Sequence, residues 1–377
     1  MIILFIGIML ILYGVLAKKF SIWVGISFVL IIMGFQEGIP GDYMSYKYNF
    51  ESMGSLVGTI QSSVKEGEYT FLWILHSLPP IMGFHSFVLL TSLIQCLIMA
   101  IFIKAISDKR FQYFGVFVAF FTIQIMLLKM KAMRQGYAVD MMLLSYLLLY
   151  KRRYVISIVP MVIAFGFHNS MMLVIPFYIV LWIILYLKRK ENHEEQTIRV
   201  EIHKGITQAF IVAISLLAFY ILKFTVFDLY ITPYLLSLET FEYGGFLEEY
   251  VVDKKIAWWI LLYYTVTVFF LTLYYVNEHN MFKKYISIIA IAGVFLYIGV
   301  DGYGNLMRMY MYYVIFSIAV FPNIAAMIRD SYGKEKANAY VLFNMVFLIY
   351  ISSKAMLSMD FSSGTGYGTY TFSFLNW

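Results

Sequence analysis

Tyr154–Leu187 reads YVISIVPMVIAFGFHNSMMLVIPFYIVLWIILYL, 34 residues without one charged side chain. A helix rises about 1.5 Å per residue and the hydrocarbon core of a bilayer is about 30 Å thick, so such a stretch is two short membrane spans with a break near its middle. His168-Asn169-Ser170 sits at that point and reads as the turn between them. Lys151-Arg152-Arg153 precedes the stretch and Lys188-Arg189-Lys190 follows it. Cytoplasmic loops are rich in Lys and Arg, so both ends are assigned to the inside and the His168 turn to the outer interface or slightly below it.

Working outward, the rest of the chain has the same texture. Hydrophobic residues make up 62% of the 377 positions and charged residues 13%, a balance that no water-soluble fold could bury. The fold class expected is therefore all-α, a polytopic transmembrane helical bundle. Apolar runs bounded by charges suggest about 12 spans, near 2–17, 20–35, 86–104, 111–128, 135–150, 154–167, 171–187, 206–224, 257–276, 285–300, 306–326 and 337–352. Ile2–Ala17 has neither a basic region before it nor a small-residue cleavage site after it, and is read as a retained span. With both termini outside, 18 of the 28 basic residues and 8 of the 22 acidic ones fall in cytoplasmic loops, which satisfies the positive-inside rule.

Thr70–Phe84 is apolar but short and holds Pro79-Pro80. Counting it as a span would push Lys104, Lys109 and Arg110 outside, so it is read as re-entrant or interfacial. Outer loops are expected at about 36–70 and 225–256, with an outer C-terminal tail at 353–377, all within a single membrane domain spanning 1–377. No internal repeat or linker interrupts it. Cys96 is the lone cysteine, which excludes an intrachain disulfide and a thiolate metal centre. The net charge of +6 follows from topology and implies no nucleic-acid partner. Nothing resembles a nucleotide-binding glycine motif or a zinc triad, so any transferred group is expected to arrive already activated.

Four polar clusters fall on the outer side of this topology. Lys129-Met-Lys131-Ala-Met-Arg134-Gln135 puts three cations where the topology rule disfavours them. On a helix Lys131 and Arg134 would share a face, suited to one anionic group, with a planar fork from Arg and point charges from Lys129 and Lys131. Snorkelling at a helix end is the alternative reading of the lysines and of Arg134. Histidine as a residue type suits proton transfer near neutral pH, so His168 is a candidate for that role, beside Asn169 and Ser170; a histidine merely bonded to a neighbouring carbonyl is the bland alternative. Asp301-Gly-Tyr-Gly-Asn305 with Arg308 forms a third turn, in which Asp301 and Arg308 could also be a structural ion pair. Gly41-Asp42-Tyr43-Met-Ser-Tyr46 adds a carboxylate with a tyrosine four residues on. A shared external site is the hypothesis that unites them.

Taken in order, these elements resemble the EpsG family of exopolysaccharide polymerases, related in role to the Wzy O-antigen polymerases. The resemblance rests on Gly41-Asp42-Tyr43 with Tyr46, Glu68 opening the aromatic segment to Phe84, Arg134-Gln135 with Ala138, Phe167-His168-Asn169-Ser170 leading to Pro176, and Asn305 with Arg308 and Tyr312. Asn169 stands where the family pattern leads one to expect an aromatic or variable residue.

The resemblance implies a GT-C-like membrane glycosyltransferase in the bacterial inner (cytoplasmic) membrane, its site facing the periplasm or cell exterior. It would transfer a growing glycan from undecaprenyl diphosphate to the non-reducing end of an incoming lipid-linked repeat unit. Expected partners are the lipid-linked oligosaccharide donor and acceptor, membrane lipids and, as a candidate, a chain-length regulator. Arg134 and Arg308 would stabilise the leaving diphosphate, assisted by Lys129 and Lys131. Gln135, Asn169, Ser170, Asn305, Tyr43 and Tyr46 complete the expected substrate contacts. His168 is the expected base, with Asp42 or Asp301 as alternatives, and inversion at the anomeric carbon is expected from direct attack. No cofactor or metal is expected, because basic side chains can neutralise the diphosphate and no Asp-x-Asp pattern occurs. A transporter or flippase of lipid-linked oligosaccharides is the alternative. Its ionisable residues should lie at the midplane in both halves of a repeat, which the sequence does not display.

Overall fold

The computed structural model describes residues 22–37, 42–51, 68–79, 81–122, 129–130, 132–187, 202–223, 225, 258–300, 309–357 and 371–372. These residues form an all-helical protein apart from one short ladder, and they group into two compact units, Met1–Arg189 with Phe321–Trp377, and Lys190–Val320.

In the first unit the helices are α1 (Ile22–Gly34), α2 (Asp42–Glu51), α3 (Tyr69–Ser77), α4 (Phe84–Ile106), α5 (Gln112–Phe121), α6 (Met133–Tyr150), α7 (Tyr154–Phe167) and α8 (Ile175–Leu187). Strand β1 (Gln36–Glu37) follows α1, and a 3-10 turn, Asn169–Leu173, joins α7 to α8. Helices α6 and α7 pack along each other across a tight turn in which Arg152 takes φ 59°. A short polar chain holds α6, α7 and α8 together: Ser145 Oγ donates to the Ser157 carbonyl at 2.5 Å, and Ser157 Oγ meets Tyr178 Oη at 2.7 Å. With lipid outside, such bonds between helices hold a bundle that apolar burial alone does not favour. The outward side of α7 exposes Val155, Ile156, Val159 and Val162, a surface suited to hydrocarbon rather than water.

The second unit contains α9 (Ile202–Leu222), α10 (Trp258–Asn277), α11 (Met281–Val300) and the short α12 (Met311–Val314). Tyr264, Tyr297 and Tyr310 meet in series with their rings tilted, centroids 4.7 and 5.0 Å apart. The chain continues through α13 (Ser317–Tyr332) and α14 (Lys334–Leu357) to β2 (Thr371–Phe372), which pairs antiparallel with β1.

Among the described residues, four helices are long and apolar enough to cross a membrane: α4, α9 from Gly205, α10, and α11 as far as Gly299. Helices α1, α5, α7 and α8 are apolar but shorter. These are the helices of a membrane protein. The count of about 12 spans goes beyond what these helices establish, and the expected first span lies outside the described residues. The expected span 306–326 is broken: its described part is a one-turn 3-10 segment at 309–310, then α12, then α13. Helix α3 has nine residues, about half the length a crossing needs, and ends at Ser77, before Pro79.

Loops assigned to the same face meet. Arg110 bonds the Asp330 carboxylate in bidentate fashion at 2.7 and 2.8 Å and also bonds Asp108. Asn323 accepts from the Asp108 amide and donates to the Ile106 carbonyl. The Arg110 hydrogen bonds hold the Asp330 carboxyl below the usual carboxylate range. At the other end, the β1–β2 ladder joins the start of the expected outer loop 36–70 to the expected outer tail.

Candidate functional site

Arg134 enters in the first turn of α6, and three elements converge on its guanidinium. Glu68, immediately before α3, pairs with Nη1. Tyr46 of α2 accepts a hydrogen bond from Nε at 3.2 Å. The rings of Tyr46 and Phe71 each lie 5.7 Å from the guanidinium carbon, and those two rings meet edge to face at 5.5 Å. Glu68 occupies the N-cap position of α3, yet its side chain makes no capping bond. Its carboxylate goes to Arg134 instead. The Glu68 side chain is 5% exposed and that of Arg134 25%, so the carboxylate is sealed in while the Arg134 side chain stays partly exposed.

The helices that carry the clamp, α2 and α6, also share an aromatic cluster with α4 and α7. Phe50 of α2 stacks on Phe87 of α4 at 5.0 Å, and Tyr137 of α6 meets Phe87 and Phe167 edge to face. Tyr137 also donates to Thr91 Oγ1 at 3.1 Å.

The His168 turn is adjacent through α3. Thr70 donates to the Ile163 carbonyl at 3.4 Å, and a Cβ at Gly166 would collide with Thr70 Oγ1, so α3 lies directly on the last turn of α7. His168 ends that turn and caps the 3-10 segment: its Nδ1 accepts from the Ser170 amide at 3.2 Å and bonds Ser170 Oγ at 2.6 Å. An acceptor at Nδ1 puts the proton of the neutral ring on Nε2.

Tyr46, Arg134, His168, Asn169 and Ser170 thus occupy one neighbourhood, with His168, Asn169 and Ser170 each half-buried. Three other expected substrate contacts are committed to the interior. Tyr43 is buried and donates to the Gln36 carbonyl at 3.1 Å, which orients α2 on β1. Gln135 is buried. Lys129 is buried and paired with Asp140, so its ammonium already has its anion. Asp42 is the first residue of α2, and its side chain is not described. Lys131, Asp301, Asn305 and Arg308 lie outside the described residues, so the outer turn at 301–308 is not part of this geometry.

Two acidic residues escaped the reading of the residues themselves. Glu68 entered only through the family pattern. Asp140 was legible as the one acidic residue in the otherwise apolar body of α6, eleven positions after Lys129. Among the described residues no group of three or more His, Cys, Asp or Glu side chains could hold a metal ion.

The family model described as EpsG family matches residues 19–372, and the chain belongs to that family. No curated protein and no solved structure matches it.

Proposed function

From membership of the EpsG family and the Arg134 clamp, we propose that this protein is a membrane polysaccharide polymerase acting on lipid-diphosphate-linked glycans. A hydroxyl at the non-reducing end of the acceptor repeat attacks the anomeric carbon of the donor glycan. The carbon–oxygen bond to undecaprenyl diphosphate breaks, and the diphosphate leaves with the bonding pair. Attack from the opposite side inverts the anomeric centre. The reaction is placed at the extracytoplasmic face because the donor and acceptor headgroups lie there after export.

Arg134 is the residue we assign to the leaving diphosphate, since charge grows on that group in the transition state and a fixed cation is worth most where charge develops. The single observation that supports this is the partly exposed Arg134 side chain, held by Glu68 and Tyr46 against two rings. Arg308 is proposed to share the task, and Lys131 to assist. Lys129 is left out, because its side chain is sealed in with Asp140 at 1% exposure, whereas that of Arg134, though paired with Glu68, is 25% exposed. His168, protonated at Nε2 when neutral, serves as a hydrogen-bond donor to the reacting sugars. The acceptor proton then goes to Asp42 or Asp301, or to the departing diphosphate.

Purified protein and synthetic lipid-linked repeats in detergent test this directly, because detergent removes any need for transport. Arg134→Lys keeps the charge but loses the fork, and polymer formation should fall roughly 10- to 150-fold, the rate equivalent of about 1.5–3 kcal/mol for one charge-assisted contact. Well-folded wild type that binds the repeats but makes no polymer would overturn the reading and return attention to transport.

A further inference from the structure

Lys129 and Asp140 form an ion pair whose side chains are each 1% exposed. Among the described residues the second Asp140 oxygen, Oδ2, has no hydrogen-bond partner. Charges inside a lipid-surrounded bundle are costly, and an apolar pair of similar size is commonly at least as stable as a buried ion pair. What an ion pair supplies and an apolar pair does not is a single permitted register, since any slip leaves both charges unpaired.

The geometry shows which register is held. A Cβ at Gly136 would stand 2.9 Å from Lys129 Cα and 3.2 Å from Lys129 Cβ, so the backbone before α6 lies directly on Gly136. From that contact the Lys129 side chain reaches Asp140, one turn further along α6. At about 100° per residue, Asp140 is about 40° round the helix from Gly136, while Arg134 is about 160° from it. One side of α6 is therefore tied to Lys129, and the opposite side carries Arg134 to Glu68 and Tyr46.

We infer that the Lys129–Asp140 pair sets the rotation of α6 about its own axis and so aims Arg134 at Glu68 and Tyr46, which makes Lys129 and Asp140 positioning residues and not ligands of the substrate. The value of this aim to an anionic ligand rests on the proposed function, but the aim itself does not.

The test uses the full chain purified in detergent, with undecaprenyl diphosphate in mixed micelles as the binding probe and the thermal midpoint as a second readout. Lys129→Met and Asp140→Leu should each lower the midpoint and weaken probe binding by about tenfold or more, as expected for a lost charge-assisted contact at Arg134. The exchange Lys129→Asp with Asp140→Lys should recover both. A phosphate-binding Lys129 requires the reverse, because a carboxylate at position 129 would repel the probe more than methionine does; binding by the exchange variant no better than by Lys129→Met overturns the inference.

If the exchange variant does not fold, Lys129→Met with Asp140→Leu decides through a cycle with Arg134→Gln. The midpoint shift caused by Arg134→Gln should largely vanish in that background, since Arg134 no longer meets Glu68. A shift as large as in wild type overturns the inference. Equal probe binding by wild type and Arg134→Gln would remove the proposed anion site instead, and the midpoint cycle would still judge the ion pair.

Discussion

A neutral histidine has one nitrogen that donates and one that accepts, and the turn it sits in decides which is which. At His168 the Ser170 amide donates to Nδ1, so in the neutral ring Nε2 carries the proton, and the proposed role is that of a donor. Glutamine can mimic a donor at Nε2 but cannot take up a proton. His168→Gln should therefore keep polymer formation within about tenfold of wild type, and His168→Ala should lose roughly one neutral hydrogen bond, up to about tenfold. Initial rates from lipid-linked repeats in detergent measure both. A loss of about 10²–10⁴-fold in both variants would restore His168 as the base. The sequence made His168 and Arg134 conspicuous because each is a polar side chain beside long apolar runs. It could not supply their partners. The Glu68–Arg134 and Lys129–Asp140 pairs join positions 66 and 11 residues apart, and only packing brings those together.

At the scale of elements, apolar runs bounded by charges located the helices well where a run is unbroken, as for α4, expected at 86–104 and observed at Phe84–Ile106. They failed where the backbone breaks inside an apolar run, as between α12 and α13, because hydropathy carries no signal for a broken helix there. Helix α2 was hidden within the expected outer loop 36–70, since a ten-residue helix of polar and aromatic residues has no membrane signature. The seating of α3 on α7 was equally illegible, although Gly166 permits it. Gly166→Ala should drive Thr70 away, loosen α3 and with it Glu68, and destabilise the protein by about 1–3 kcal/mol, the usual cost of overpacking. Thermal unfolding in detergent should show a lowered midpoint that Thr70→Ala partly restores, because it removes the nearest colliding atom. No rescue, or no loss in Gly166→Ala, would mean that α3 is held by other contacts.

At the scale of the molecule, the charge pattern divides the loops between two faces, and in the first unit loops assigned to one face meet. The turn at 104–110 and the loop at 329–336, both assigned inside, meet through Arg110 and Asp330. The clamp on Arg134 gathers α2 and Glu68 from the expected outer loop 36–70 at the end of α6 that the charge pattern assigns outside. Which face is outside can be read chemically with one cysteine at a time. In a Cys96→Ala background, Tyr48→Cys on exposed α2 should react with an impermeant maleimide in intact cells. Lys109→Cys and Glu335→Cys, also on exposed positions, should react only after permeabilisation. The opposite pattern would turn Arg134 toward the cytoplasm, where no exported repeat could reach it, and the proposed function would fall. A split between Lys109→Cys and Glu335→Cys would have a different meaning. Arg110 and Asp330 could not then be bonded across one face, and the fold of the first unit rather than its orientation would need revision.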